Sequence, residues 1–214
     1  MKFGVSESYY RCTPVFRRRF GRDLQDVAFR MLKSVVLWLF LATPAVKAQN
    51  NRYFVTSSKV VFVSNAPLET IKAVSQELKG VIDVSTRSIA FSIANTTFEG
   101  FNSALQQDHF HENYVESERY PHCTFSGKII DEVDFTRDGT YAIRVKGFLN
   151  VKGISQEKII KGTITVKGEE LLISCTFSVA VADHQIRIPR IVQQKIAPVI
   201  EISVTAKLVK EGVK

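Results

Sequence analysis

Two clusters hold the side chains with the richest chemistry in this chain. His109-Phe110-His111-Glu112, followed by His122-Cys123, gathers imidazole, carboxylate and thiol groups, the donors that zinc takes. On a helix, residues two apart point away from each other, so His109 and His111 could chelate together only on extended backbone. The chain has no Cys-x-x-Cys and no His-Glu-x-x-His, and the plainer reading is of solvated or capping histidines near a helix end. Asp183-His184 offers two members of a hydrolytic triad. A nucleophile elbow is missing, because Gly153-Ile154-Ser155-Gln156-Glu157 lacks the second glycine. The sequence therefore predicts no catalytic residue, no metal site and no cofactor.

The elements that would carry such groups are strands. Tyr141, Ile143, Val145, Leu149 and Val151 alternate with Ala142, Arg144, Lys146 and Asn150, interrupted at Phe148. Leu171, Ile173, Cys175, Phe177, Val179 and Val181 alternate with Ser174, Thr176, Ser178 and Ala182, and Ile200, Ile202, Val204, Ala206 and Leu208 with Glu201, Ser203, Thr205 and Lys207. Residues i and i+2 of a strand share a face, so each segment has one apolar side and one wet side. That is the pattern of an antiparallel sheet with one face toward water. Inward positions carry almost no titratable groups, which leaves little for acid–base catalysis.

The N-terminus accounts for most of the charge. An apolar run at 34–46 follows Lys33, and Val46-Lys47-Ala48 fits a small-residue cleavage site, the layout of a secretory signal peptide. Residues 31–48 are read as that signal, and residues 1–30 as an upstream extension or a mis-assigned start, since Met31 offers a second one. The twin-arginine alternative, Arg17-Arg18-Arg19-Phe20, is separated from the apolar run by a dozen residues that include Asp23 and Asp26. Of the 29 basic and 21 acidic residues, nine and three precede Ala48, so the remaining 166 residues carry a net +2 where the whole chain carries +8. A nucleic-acid partner inferred from the basic charge would rest on residues that are removed. A periplasmic or secreted protein is expected, with no membrane span after cleavage. Cys123 and Cys175 remain, both in phase with inward apolar neighbours. An oxidising compartment permits them to pair, and the alternative is two small buried hydrophobes.

Residues 49–214 read as one domain. The expected course is a strand at 52–64, a second extended segment at 69–84 with Val74, Leu78, Ile82 and Val84 in phase (a helix at 68–79 being the competing reading), and a strand through Ile89, Phe91 and Ile93. Phe98, Phe101 and Leu105 then recur at helical spacing up to about His109. Phe125, Gly127, Ile129, Val133 and Phe135 mark the next strand, Asp138-Gly139 a hairpin turn, and Gly153 and Gly168 bound a strand carrying Ile160, Ile164 and Val166. Pro189 ends the strand begun at Leu171, and Pro198 precedes the last. The expected total is about eight strands with one helix after the third. Gly147 interrupts an inward apolar face, a mark of a bend or of close backbone approach. Alternation alone does not separate a closed barrel from a two-sheet sandwich. Eight strands would close into a barrel just wide enough to be filled or to hold one small ligand.

The inward phase predicts a lining of Phe91, Ile93, Phe125, Ile129, Ile143, Val145, Leu149, Ile173, Phe177, Val179, Ile202 and Val204. Arg187, Arg190, His184 and Tyr120 are candidates for orienting a head group at the mouth. Ten buried methylenes at ~0.8 kcal/mol each give on the order of 8 kcal/mol, near micromolar affinity before ordering costs.

The helix Phe98–Asp108, the segment His109-Phe110-His111-Glu112-Asn113-Tyr114 and then Tyr120-Pro121-His122-Cys123-Thr124-Phe125-Ser126-Gly127-Lys128 resemble the YceI-like family, which carries a Tyr-Pro-x-x-x-Phe element after a helix. Tyr141 to Gly153 resembles the family's Gly-x-Leu-x-x-x-Gly segment with Phe148 inserted, and Phe177–Asp183 resembles its following strand. The similarity covers residues 52–208. Many members have a His-Ser pair in the first strand, where this chain reads Thr56-Ser57-Ser58-Lys59. The next segment, usually rich in Gly and Phe, is here Ser64-Asn65-Ala66-Pro67-Leu68-Glu69. The resemblance implies an all-β, antiparallel lipocalin-like barrel with an apolar lumen, exported to the periplasm and binding polyisoprenoid or other long-chain lipid. The function expected is a non-enzymatic carrier or sequestering protein. The alternative is a filled barrel that meets other envelope proteins by its surface.

Overall fold

A computed structural model describes residues 51–212, and in it the alternating segments become nine antiparallel strands. They are β1 (Arg52–Asn65), β2 (Thr70–Ser75), β3 (Lys79–Asp83), β4 (Ser88–Ala94), β5 (His122–Ile129), β6 (Gly139–Val151), β7 (Ile154–Lys167), β8 (Glu170–Ala180) and β9 (Val199–Lys210). One α-helix, α1 (Ala104–His109), lies between β4 and β5 and runs on into a π-helical turn, Phe110–Tyr114. The expected signal peptide at 31–48 and the extension at 1–30 lie outside the described residues. No helix among the described residues is long and apolar enough to cross a membrane.

The sheet closes, which decides for the barrel over the sandwich. Strands β3 to β9 pair in sequence order, and β1 pairs with β9 on one edge and with β3 on the other. β2 is the ninth, extra strand. It lies on the same edge of β1 as β3, and both pair with β1 in one continuous register. The extended segment expected at 69–84 is thus a single course interrupted at residues 76–78, which places the helix after the fourth strand and not the third. At the interruption the Ser58 hydroxyl donates to the Gln76 carbonyl at 3.0 Å and accepts the Leu78 amide at 3.1 Å, replacing the missing ladder bonds. The break also changes phase. Ala73 and Ser75 are buried before it and Ile82 after it, so Val74 does not share a face with Ile82 as expected. β1 makes the matching change through a bulge at Thr56, between Tyr53 and the buried Val60 and Phe62.

Three other expectations are corrected. β5 ends at Ile129, and Val133 and Phe135 belong to a loop that folds them under the barrel. The Asp131 carboxylate holds this loop, accepting the Arg144 backbone amide and a guanidinium N–H at 2.6 Å. The helix starts later than Phe98 because Gly100 takes a φ of +88° and the Ser103 hydroxyl caps Gln106 at 3.2 Å. Similarly, β8 stops at Ala180 and passes into a 3-10 turn at Val181–His184, well before Pro189.

The pairing sets the two ends of the barrel. At one end lie residues 84–87, 130–138 and 168–169, above a packed core in which Ile164, Leu171 and Leu208 are 0% exposed. The loops 66–69, 95–121, 152–153 and 181–198 sit at the other end. The cysteines do not pair. Cys123 donates its thiol to Asn95 Oδ1 at 3.1 Å, and both remain free.

Two outcomes follow from this packing. Gly147 faces Gly127 across β5 and β6, and a methyl group built on Gly147 would stand 2.3 Å from the Ser126 carbonyl and 2.9 Å from the Phe125 ring. Gly147→Ala should therefore cost about 1–3 kcal/mol in urea unfolding. Burial also pushes the Cys123 thiol from 9.0 up to about 12 and that of Cys175 to about 11. Above the ordinary thiol pKa the unfolded chain loses protons that the fold retains, so this contribution to stability is present below 9.0 and lost as pH rises toward those values. Stability should fall with pH across that window, and Cys123→Ala should flatten the slope measured by unfolding at successive pH values.

Candidate functional site: a half-hollow barrel

Above its packed end the barrel holds a cavity of about 620 Å³, within the range of small-molecule sites. The twelve inward residues expected from the alternation, Phe91 through Val204, all stand on its wall. Phe91, Phe125, Ile173, Phe177, Ile202 and Val204 are only half-buried although they point inward, because they face empty space.

The space exists because aromatic rings lie along the wall and not across the lumen. Gly80 pairs directly with Phe91, and a methyl group built on Gly80 would overlap the Phe91 ring at 2.1 Å. Phe125 covers Gly147 in the same way. An inward glycine next to an inward phenylalanine gives the ring a place against the backbone. Four other phenylalanines form a lid. Phe62 of β1 stacks on Phe110 of the π-helical turn with centroids 5.3 Å apart, and Phe101 lies 5.2 Å from Phe110. Phe98 completes the cluster at 5.5 Å from Phe62, so α1 and its approach are held down by aromatic contacts.

Several polar groups on the wall are engaged in structural hydrogen bonds. Asn95, fully buried, donates to the Tyr120 carbonyl at 2.7 Å while accepting the Cys123 thiol. Ser64 Oγ accepts the Ala197 amide at 2.9 Å. The ionisable side chains on the wall are Glu69, His109, Tyr114, Lys195 and the two neutral cysteines. Glu69 accepts Asn102 Nδ2 at 3.0 Å and Gln106 Nε2 at 2.6 Å, which holds its carboxyl below the usual range. Burial raises the Tyr114 phenol.

The candidate mouth groups lie at the open end of the barrel but off the cavity wall. Arg187, Arg190, His184 and Tyr120 do not reach the cavity wall, and Glu69, Gln106, His109 and Lys195 stand there instead. Sequence reasoning missed these four because they sit on loops and a short helix with no periodicity to orient them. His184 is fully buried, its Nδ1–H donating to the Ile154 carbonyl at 3.0 Å, while Nε2 has no partner. It belongs to a seam in the wall. Backbone pairing between β7 and β8 stops at Gly162 and Cys175, although β7 stays paired to β6 as far as Ile154 and β8 to β9 as far as Ala180. Across the seam Lys158 Nζ donates to the Ser178 carbonyl at 3.0 Å and Gln156 Nε2 to the Asp183 carbonyl at 2.8 Å. Asp183 and His184 thus fasten strands. His111 Nδ1 lies 3.1 Å from Ser117 Oγ, and among the described residues no three His, Cys, Asp or Glu side chains converge as a metal site would require.

This architecture matches known proteins. A polyisoprenoid binding domain from Saccharophagus degradans, implicated in plant cell wall breakdown, superposes with a TM-score of 0.63 at 11% identity, covering 76% of this chain and 99% of that one. BcnA of Burkholderia cenocepacia gives 0.58 at 16% identity, covering 70% and 95%. The YCEI protein of Campylobacter jejuni gives 0.51 at 13% identity, covering 63% and 82%. No curated protein sequence matches the chain. The family model for the YceI-like domain matches residues 53–208, and the chain belongs to that family.

Proposed function

We propose that this protein is an exported, non-enzymatic carrier or sequestering protein that holds one long apolar chain, such as a polyisoprenoid, in its barrel. The observation that carries this reading is the cavity itself: hollow and walled mainly by aliphatic and aromatic side chains. The polyisoprenoid binding named for the Saccharophagus degradans domain supports the same ligand class. Burying an apolar chain needs no charged clamp, since each methylene removed from water contributes ~0.8 kcal/mol. Export is inferred from Lys33, the apolar run at 34–46 and the small residues before Gln49, which point to the periplasm or the medium.

Native mass spectrometry of the protein purified from a membrane-rich host, followed by organic extraction, tests both parts. One lipid per chain is expected, on a polypeptide that begins at Gln49. An apo mass that persists after incubation with polyprenyl and fatty-acyl lipids would sink the carrier reading in favour of a surface-interaction module. Phe177 and Ile202 are cross-strand partners on the wall, and Phe177→Glu should reduce lipid binding at least roughly tenfold, because a carboxylate would have to be desolvated beside the ligand. A Phe177→Glu protein that is folded and binds normally would show that the lumen is not the site.

A further inference from the structure

The end of the barrel that carries the cavity mouth has a surface the lumen does not explain. Leu68, Leu105 and Ile191 are 66, 62 and 91% exposed there, although large aliphatic side chains are ordinarily covered. They come from three separate segments that hydrogen bonds tie together. The Leu68 amide donates to the Gln194 carbonyl at 2.9 Å, and the adjoining Glu69 carboxylate accepts from Asn102 and Gln106, which flank Leu105. Leu105 also stands on the cavity wall, so the apolar surface continues from the outside into the lumen.

One segment beside it is uniformly basic. Arg187, Arg190 and Lys195 are exposed on the segment that follows His184, and no acidic residue occurs between Asp183 and Glu201. The same segment lines the cavity with Ile186, Ile188, Val192 and Ile196. The acidic groups, Glu69 beside Leu68 and Asp108 and Glu112 on the α1 side, lie off that segment, so the basic face is the stretch 185–197. Aliphatic tips with flanking arginine and lysine are what an anionic bilayer surface accepts: the tips enter the headgroup region, and the cations pair with phosphates.

We propose that this mouth surface docks on membranes containing anionic phospholipid, so that a long apolar chain passes between bilayer and lumen without crossing water. The purpose rests on the carrier reading, but the docking is measured separately from it. The experiment is co-sedimentation of the purified protein with vesicles of phosphatidylcholine alone and of phosphatidylcholine mixed with phosphatidylglycerol. Binding is expected on the anionic vesicles and should fall with added salt. Ile191→Asp should weaken it roughly tenfold, and the double variant Arg187→Glu with Arg190→Glu should abolish it on anionic vesicles. None of these residues is on the cavity wall, so uptake of a lipophilic dye should stay as in the parent protein and report that the fold and lumen are intact. No sedimentation with anionic vesicles, or equal sedimentation of parent and variants, overturns the docking surface while leaving the lumen standing. A concentration-dependent dimer that Ile191→Asp dissociates, with no vesicle binding, would assign the patch to a second copy of this chain and overturn it as well. Loss of dye uptake in the parent would count against the lumen alone.

Discussion

Everything in this molecule hangs on β1 having two partners at once. Its residues pair with β9 along one edge and with β2 and β3 along the other, and without that double pairing the sheet would be open, with no enclosed space. A barrel of eight strands is of the size that side chains can just fill or that can hold one small ligand, so closure by itself does not decide between a core and a pocket. The bulge at Thr56 and the matching interruption at residues 76–78 change the strand phase partway up the wall, and Ser58 bridges the gap. Phe62 thereby turns inward to join the aromatic lid while Tyr53 turns inward at the packed end. The segment Thr56-Ser57-Ser58-Lys59, where this chain departs from the His-Ser pair common in the family, is the place where the strand changes face.

Space is then made by subtraction. Glycines at positions 80 and 147 allow Phe91 and Phe125 to lie against backbone, and the ring area that would otherwise fill the centre becomes wall. The consequence is a graded interior, packed where Val166, Leu171 and Leu208 meet and hollow toward Phe125 and Phe177. Stability can be supplied by the first region while the second stays open. Close packing elsewhere is what makes a cavity tolerable, since each wall atom without a neighbour forfeits dispersion energy.

The alternation in β6, β8 and β9 made the inward face legible, and it did so because period two admits only two faces and one of them was plainly apolar. Gly147 was legible as a place of close approach, although the ring that approaches, Phe125, was not. The misreadings share a cause. Val74, Val133 and Phe135 are apolar residues near a change of phase or the end of a strand, where periodicity continues in the sequence after the geometry has changed. The mouth was illegible for a related reason. Glu69 and Gln106 meet through a loop-to-helix hydrogen bond, the Lys195 segment is tied on through Leu68, and no local spacing encodes which loops will meet.

The weakness of the wall lies next to the mouth. β7 and β8 are held by backbone pairs only up to Gly162 and Cys175, and beyond them by three side-chain bonds from Lys158, Gln156 and His184. β2, the extra strand, presents its outer edge to the lid, where Val74 and Glu99 exchange backbone hydrogen bonds and close it. The two sides of the mouth are therefore fastened differently, one by a backbone bridge and an aromatic cluster, the other by side chains reaching to carbonyls. A side-chain bond of this kind contributes about 1 kcal/mol net, less than a continuous ladder supplies over the same length. Local opening follows the cheapest set of contacts. It should begin at the β7–β8 seam, on the side where the basic segment 185–197 leaves β8, and not at the phenylalanine lid.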